Sequence, residues 1–559
     1  MKKDSFLKGA FLMVVSASLV KIGGALFKIP LASLLTGSGM GLFMAAYSIF
    51  TPYFSMFASG LSPAVSSYVS KVWALKGERE TEEVCKVNLL FFLFYSLAVY
   101  FLFVKTAPFF CRLAGNEDLV NCIYSIAPCM FFCTLSSVIK GSFEGRMTML
   151  PTAFSNLLEV FSKFFFALLF ARSCLSGILR EFYSLGSVKG ERVSNLGTAL
   201  AKAVPEAASH AFKGIAAAGT VSCVFLLLCF IKSLKNKRFA PRKQYFRAPF
   251  EIIRFSIPVC ISSLIISLYP VIDMYTFMKL MKILCSSDGS AVQMFSFVFS
   301  FGIAQEELPS FLYGCYSAVA LTLFHLVPSV SSSLSIAVLP MVSSLYAKGN
   351  TGKTETAVEG IIRFAAFICF PMGMAMFFMP REILLFFFSK SRAEAEAAVP
   401  FLIILGPAAV FAAMVSPVFA SLQGTGQERV PAKILFSFLW LKLGLNVLLT
   451  FLGKAAPLAS AFSTLITYIF IFICSLQKLS YKFNRRFSFF GIIKRPFAIS
   501  VCSCIFAKWI FNTLSQTPQN PLILVFSALL GALMYILLMF FTGEFKQEYI
   551  KILYCNKNA

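Results

Sequence analysis

FLKGAFLMVVSASLVKIGGALFKIPLASLL, residues 6–35, reads as one long apolar helix carrying cations at Lys21 and Lys28. About 20 apolar residues cross a bilayer, so the stretch is long enough to span one. A lysine at that depth costs roughly 2.5–3.5 kcal/mol on insertion scales, and such residues usually face a cavity. Seven residues at about 1.5 Å rise put the two lysine Cα atoms about 10 Å apart, nearly on one face. Two cations along one face of a first spanning helix suggest a site for something anionic. Lys21 is the deeper of the two. Lys28, close to Pro30 near the helix end, has a second reading, in which its ammonium snorkels to the interface. Lys2 and Lys3 before an apolar run mimic a signal peptide, but the run is too long and lacks an Ala-x-Ala site, so a retained first span is expected.

The rest of the composition agrees with that stretch. Of 559 residues, 58% are hydrophobic and 13% charged, and the mean hydropathy is +0.79, which excludes an ordinary soluble globule and predicts a polytopic membrane protein. Lipid contact and helix packing fall to 66 Phe against three Trp. The net charge of +25 would suit nucleic acid, but the basic residues lie in short loops between apolar spans, where they suit anionic headgroups and topology control. No nucleic-acid partner is expected. The cysteines sit mostly inside apolar runs, and Cys129/Cys133 and Cys502/Cys504 lack a second ligand pair or a nearby His. They read as small apolar filler, with no metal.

Apolar stretches of spanning length number about fourteen, the span near residues 310–346 being overlong and holding Pro328 and Pro340, so that it is expected to kink or to continue past the membrane. With both termini in the cytoplasm, inside loops hold about twice the Lys/Arg of outside loops, led by KSLKNKRFAPRKQYFR (232–247) and KLSYKFNRRFSFFGIIKR (478–495). The outside loop near 172–213 goes against that rule, and its small-residue run is expected to be a short surface helix.

An internal repeat organises the spans. Phe143-Glu144-Gly145 followed by Pro151 recurs as Leu422-Gln423-Gly424 followed by Pro431, and Lys163 and Lys442 then fall in equivalent register. Lys76-Gly77 after the second span recurs as Lys348-Gly349 after the eighth. Both matches give an offset of about 270–280 residues, or six spans, and imply two lobes related by an axis along the membrane normal. The expected fold is all-α, with two six-helix lobes (1–240 and 241–482) and an appended helix pair with a cytoplasmic tail (483–559).

Ionisable residues inside spans are few and therefore informative. Asp273 lies in span seven, the counterpart of span one, and would face the same space as Lys21; it could pair with a lysine, bind a coupling cation or carry a proton. Glu159 and Lys163 in span five are i and i+4 and can pair on one face. Glu144 and Arg146, between spans four and five, are candidates for a gate or an ion pair. Span eight is rich in hydroxyls, with Ser332 among them, offering hydrogen bonds to a neighbouring helix or to a sugar. No Walker sequence, HExxH, paired-aspartate cluster or nucleophile elbow occurs, so neither a catalytic centre nor a cofactor is expected. Transport would be secondary, coupled to sodium, protons or the membrane potential.

KIPLASLLTGSGMGLFMAAYSIF (28–50) and GLSPAVSSYVSKVWALKG (60–77) resemble the opening spans of the SpoVB/MurJ-like lipid-linked oligosaccharide flippases, in the multidrug/oligosaccharidyl-lipid/polysaccharide exporter superfamily. FEGRMTMLPTAFSNLLEVFSK (143–163), SIPVCISSLIISLYPVID (256–273), LSIAVLPMVSSLYAKGN (334–350) and LGPAAVFAAMVSPVFASLQGTGQERVPAKIL (405–435) extend the resemblance over most of the chain. The resemblance implies fourteen spans, a central cationic cavity, alternating access, and a groove for a polyprenyl tail formed by the last two spans. It implies an undecaprenyl-pyrophosphate-linked sugar as substrate, most often lipid II, in a bacterial plasma membrane, with cell-wall polymerases as partners. By position, Lys21 and Lys28 would be the cavity cations and Asp273 the facing acid. The hairpin TGSGMG departs from the family in lacking a charged residue, and Lys71 is the only cation in span two. Two other readings stand beside this one. A cation-coupled drug exporter of the same superfamily would want an acidic, aromatic site, and a membrane glycosyltransferase or ligase would want a large catalytic loop or clustered carboxylates.

Overall fold

The break in the first helix shows how this chain is built. The computed structural model describes residues 3–114, 119–188, 191–192, 196–234, 245, 247–285, 290–301, 303–347, 349, 351–449, 453–484, 489–515 and 520–542. Helix α1 (Lys3–Phe57) is interrupted at one residue, Thr36, with φ 56° and ψ 177°. The TGSGMG stretch, expected as a hairpin, is therefore a single-residue break. Its glycines serve close approach instead. A Cβ on Gly41 would overlap the carbonyl oxygen of Ser310, and one on Gly314 would overlap that of Gly37. Gly37-x-x-x-Gly41 thus lets helix α8 (Leu308–Gly314) lie backbone to backbone on α1, the small-residue packing that membrane helices use in place of a hydrophobic driving force.

The chain continues through α2 (Leu61–Ala114), broken at Gly77, α3 (Leu119–Gly145) and α4 (Leu150–Leu185). A two-stranded antiparallel ribbon, β1 (Ser187–Val188) with β2 (Glu191–Arg192), turns it into α5 (Leu196–Ser233). The expected surface helix near 196–213 is instead the first half of α5. Ala199, Ala203, Ala207, Ala208 and Ala211 are buried, Gly214 meets the Ala167 backbone of α4, and Phe212 stacks on Phe43 at 4.3 Å. Side chains that small pack helices closely, which is why the run is not at the surface.

Then follow α6 (Ala248–Ile283), α7 (Ser290–Met294), two short 3-10 turns, α8, a π-helical segment Cys315–Ala320 and α9 (Leu321–Ala347). The irregularity expected at Pro328 or Pro340 lies upstream, in the π segment, where every residue is buried. The remaining helices are α10 (Thr351–Phe378), α11 (Pro380–Phe387), α12 (Arg392–Gly424), α13 (Val430–Leu449), α14 (Ala459–Phe483), α15 (Phe489–Leu514) and α16 (Pro521–Phe541).

Two compact units emerge, one of Met1–Lys279 with Glu306–Gly314, the other of Leu280–Gln305 with Cys315–Ala559. In the first, α2, α3 and α5 enclose Leu61, Val65, Phe92, Leu135, Ile139 and Phe230. In the second, α12 runs through the middle with α9, α10 and α14 around it, and Gly373 and Gly406 bring α10 against α12. Compactness groups α6 with the first unit; the 1–240, 241–482 and 483–559 division rests on repetition, a different property.

The repeat is written into the backbone. Gly77 and Gly349 both take positive φ (81° and 72°), as do Met147 (60°) and Gly426 (83°). The turns at the latter pair close with the same two bonds: the Met147 and Thr148 N–H donate to Glu144 and Phe143 carbonyls, and the Gly426 and Gln427 N–H donate to Gln423 and Leu422. Lys348 lies outside the described residues.

Among the described residues, 12 helices are long and apolar enough to cross a membrane, against the fourteen expected; the first, Leu26–Arg112, contains the breaks at Thr36 and Gly77. Large apolar side chains such as Phe161, Phe165, Leu529 and Phe540 point outward, as lipid-facing surfaces require. Gly41→Val is expected to abolish folded protein in detergent size-exclusion profiles, because the atoms it strikes are backbone, whereas Gly444→Ala, with nothing within 4 Å, leaves the profile unchanged.

Candidate functional site

Inside the first unit, α1, α4 and their side chains enclose a cavity of about 240 Å³. Gly23 and Gly24 leave space on the α1 side, and Tyr47, Asn156, Glu159 and Lys163 supply the polar wall. The expected Glu159–Lys163 neighbours both stand on the cavity wall, but the ion pair within 4 Å is made elsewhere. Glu159 Oε2 pairs with Lys140 Nζ of α3 at 3.6 Å, leaving Lys163 on the cavity wall. Two helices packed side by side can bring a lysine from the neighbouring helix onto the carboxylate. Lys140 lies one turn before Glu144 in span four, and nothing in sequence spacing announced it as Glu159's partner.

Glu144 and Arg146 do not form a pair with each other. Glu144 Oε2 accepts from Ser62 Oγ at 3.1 Å. The Arg146 guanidinium lies over the rings of Phe143 and Phe230 at 5.4 and 5.5 Å, and its Nε donates to the Ser142 carbonyl. One terminal nitrogen also donates to Ser233 Oγ at 3.4 Å. Arg146 thus ties α3 to the end of α5, and cation–π contacts of this kind are worth about 0.5–2 kcal/mol each.

Of the cationic pair on α1, Lys28 is partly buried, while the Lys21 side chain lies outside the described residues. Asp273 is buried on α6, in the first unit. Ser332 is half-buried on α9 in the second unit and donates along its own helix to the Ser329 carbonyl at 2.9 Å. It is Ser331 that crosses to a neighbour, donating to the Ala413 carbonyl of α12 at 2.6 Å.

The second unit holds a polar group whose sequence signal was only a repeat marker. Lys442 of α13, 2% exposed, donates to Thr464 Oγ1 of α14 at 2.7 Å. Thr464 in turn donates to the Ser460 carbonyl, Tyr316 of the π segment reaches the same two residues, and Ser463 Oγ donates to Asn446 Oδ1. The same unit has an apolar cavity of about 420 Å³ lined from α10, α11, α15 and α16, with Met372, Ile383, Phe386, Leu524 and Val525 on its wall. Among the described residues no group of three or more His, Cys, Asp or Glu side chains could hold a metal ion.

Long apolar helices and a repeated backbone plan define a multi-pass membrane protein. The MatE family model matches residues 317–452. The fold is shared with the solved structure "Lipid II flippase MurJ, inward closed conformation", at a TM-score of 0.64 and 14% identity, covering 97% of this chain and 100% of that one. It is shared also with an inward-facing multidrug resistance MATE family transporter of the MOP superfamily, at a TM-score of 0.59 and 13% identity, covering 83% and 98%. In sequence the chain is similar to the lipid II flippase MurJ of Bacillus subtilis (strain 168), 21% identical over 560 residues, 95% of this chain and 94% of that protein. Stage V sporulation protein B of the same organism is 26% identical over 160 residues, 28% of this chain and 31% of that protein. The resemblance to the SpoVB/MurJ-like flippases is borne out.

Lys140→Met and Glu159→Gln are each expected to lower the thermal midpoint of the purified protein, and the double variant to recover part of the loss. The coupling, read from a double-mutant cycle, should be on the order of 1 kcal/mol.

Proposed function

We propose that this protein flips an undecaprenyl-pyrophosphate-linked saccharide of the lipid II type from the inner to the outer leaflet of a bacterial plasma membrane, by alternating access. The observation that carries the reading is the likeness to a lipid II flippase along 95% of the chain, in a protein whose first spanning helix bears Lys21 and Lys28. A pyrophosphate carried unassisted through hydrocarbon would be an unpaired buried charge, at a cost of many kcal/mol. Lysines facing water at membrane depth replace the lost hydration, and the polyprenyl tail stays in an apolar setting throughout. The 420 Å³ apolar cavity on α15 and α16 supports a place for that tail, in keeping with a groove built from the last two helices. The Lys/Arg-rich loops favour both termini in the cytoplasm. Asp273, buried on α6, is the acid through which sodium, protons or the membrane potential would couple. The relatives are transporters, and this protein is read as one that catalyses no covalent step.

The MatE match over residues 317–452 favours a second reading, export of cationic drugs. An organic cation is best held by carboxylates and aromatic faces, and cations on the first helix oppose it.

The experiment is rescue of a bacterium depleted of its own flippase. The wild-type chain should restore growth and clear the lipid-linked precursor that accumulates. Lys21→Ala should fail while reaching the membrane at normal levels, and Lys28→Ala should rescue partially. Full rescue by Lys21→Ala overturns the site; absence of rescue by the wild type, together with lowered ethidium accumulation, favours the exporter.

A further inference from the structure

The two units treat equivalent lysines differently. Lys163 on α4 and Lys442 on α13 occupy matching positions of the repeat, each following a proline that opens its helix, Pro151 and Pro431. In the first unit Lys163 lines an open cavity with Tyr47. In the second the Lys442 side chain is enclosed. Tyr316, Lys442, Asn446, Ser460, Ser463 and Thr464 are each at most 4% exposed. Five of these lie on one stripe of α14 or face it from α13, and Thr467, the next residue on that stripe, has a buried Oγ1 with no hydrogen-bond partner.

Direction of donation settles what the cluster offers. Thr464 spends its hydrogen on the Ser460 carbonyl at 2.7 Å, so toward Lys442 its oxygen is an acceptor. The Tyr316 hydroxyl approaches both Ser460 O and Thr464 Oγ1, at 3.5 and 3.4 Å. The ammonium meets one hydroxyl oxygen, and the Ser460 carbonyl and Tyr316 hydroxyl bond to that same hydroxyl. Buried hydroxyl and carbonyl oxygens are the kind of ligand a monovalent cation takes, and an ammonium group with its three donors is the covalent counterpart of such an ion. We propose that Lys442 is a tethered cation filling a monovalent-cation site in the second unit, which therefore takes up no exchangeable ion there. The inference goes beyond the flippase reading and holds for any substrate, because it concerns a site formed by α13, α14 and the π segment alone.

The test removes the tether and offers a free ion. Full-length wild type and Lys442→Ala are placed in lipid nanodiscs, and thermal midpoints are read in choline, sodium and ammonium chloride at matched ionic strength. Choline is too large to enter. The wild type should melt at the same temperature in all three. Lys442→Ala should melt several degrees lower in choline and regain at least half of that loss in ammonium, in sodium or in both. A variant whose midpoint is the same in all three salts overturns the proposal, as does a wild type stabilised by sodium over choline. Lys442→Ser, which keeps a small polar group, carries the same expectations and serves if the alanine variant does not accumulate. The readout is independent of transport, so failure of the flippase assay leaves this result standing.

Discussion

A charge inside a membrane protein must find oxygen or an opposite charge close by, and this requirement orders the interior of both units. Stranding a single ammonium in hydrocarbon costs several kcal/mol, more than most packing contacts return. Several of the cations among the described residues have an identifiable anchor. Lys140 meets Glu159, Lys86 meets Glu83 at 3.0 Å, and Arg146 rests on two phenyl rings. Lys508 of α15 donates at 2.7 Å to the Phe378 carbonyl, at the C-terminal end of α10 where the helix dipole is negative. Lys442 has Thr464. Except for Lys86–Glu83, which lies within α2, these anchors join neighbouring elements, so the same interactions that neutralise charge also help fix register.

Much of the architecture could be read from the chain because its signals are local. A spanning run is a property of about 20 consecutive residues, and the repeat showed in short motifs whose backbone conformations then proved alike: Gly77 with Gly349, Met147 with Gly426. The lysines stood out for the same reason. Their partners did not, since proximity between Lys140 and Glu159, or between Lys442 and Tyr316, is created only by folding. Rules for i and i+4 offered Lys163 as a neighbour of Glu159, and tertiary geometry added Lys140. TGSGMG misled in a related way. Glycines signal either a turn or close approach, and the deciding neighbour, α8, is remote in sequence.

The repeated halves have diverged where chemistry would act. The first unit keeps a polar hollow beside Lys163, open enough for a small ligand or several waters, while its second-unit equivalent is sealed around Lys442. Duplication gives two copies of a scaffold, and only one needs to retain a given opening. The appended helices α15 and α16 add what neither copy has, an apolar recess next to α10 suited to a hydrocarbon chain.

The seating of α8 on Gly37 and Gly41 has a consequence for biogenesis. Residues Glu306–Gly314 belong to the same compact unit as the first helix although most of the chain's first half separates them. At a synthesis rate of about 5–20 residues per second, the opening helix waits many seconds in the bilayer with its glycine notch uncovered. A ribosome-bound chain ending before residue 306 therefore carries an unfinished amino-terminal half. The notch is covered by this chain's own backbone only once α8 has been made.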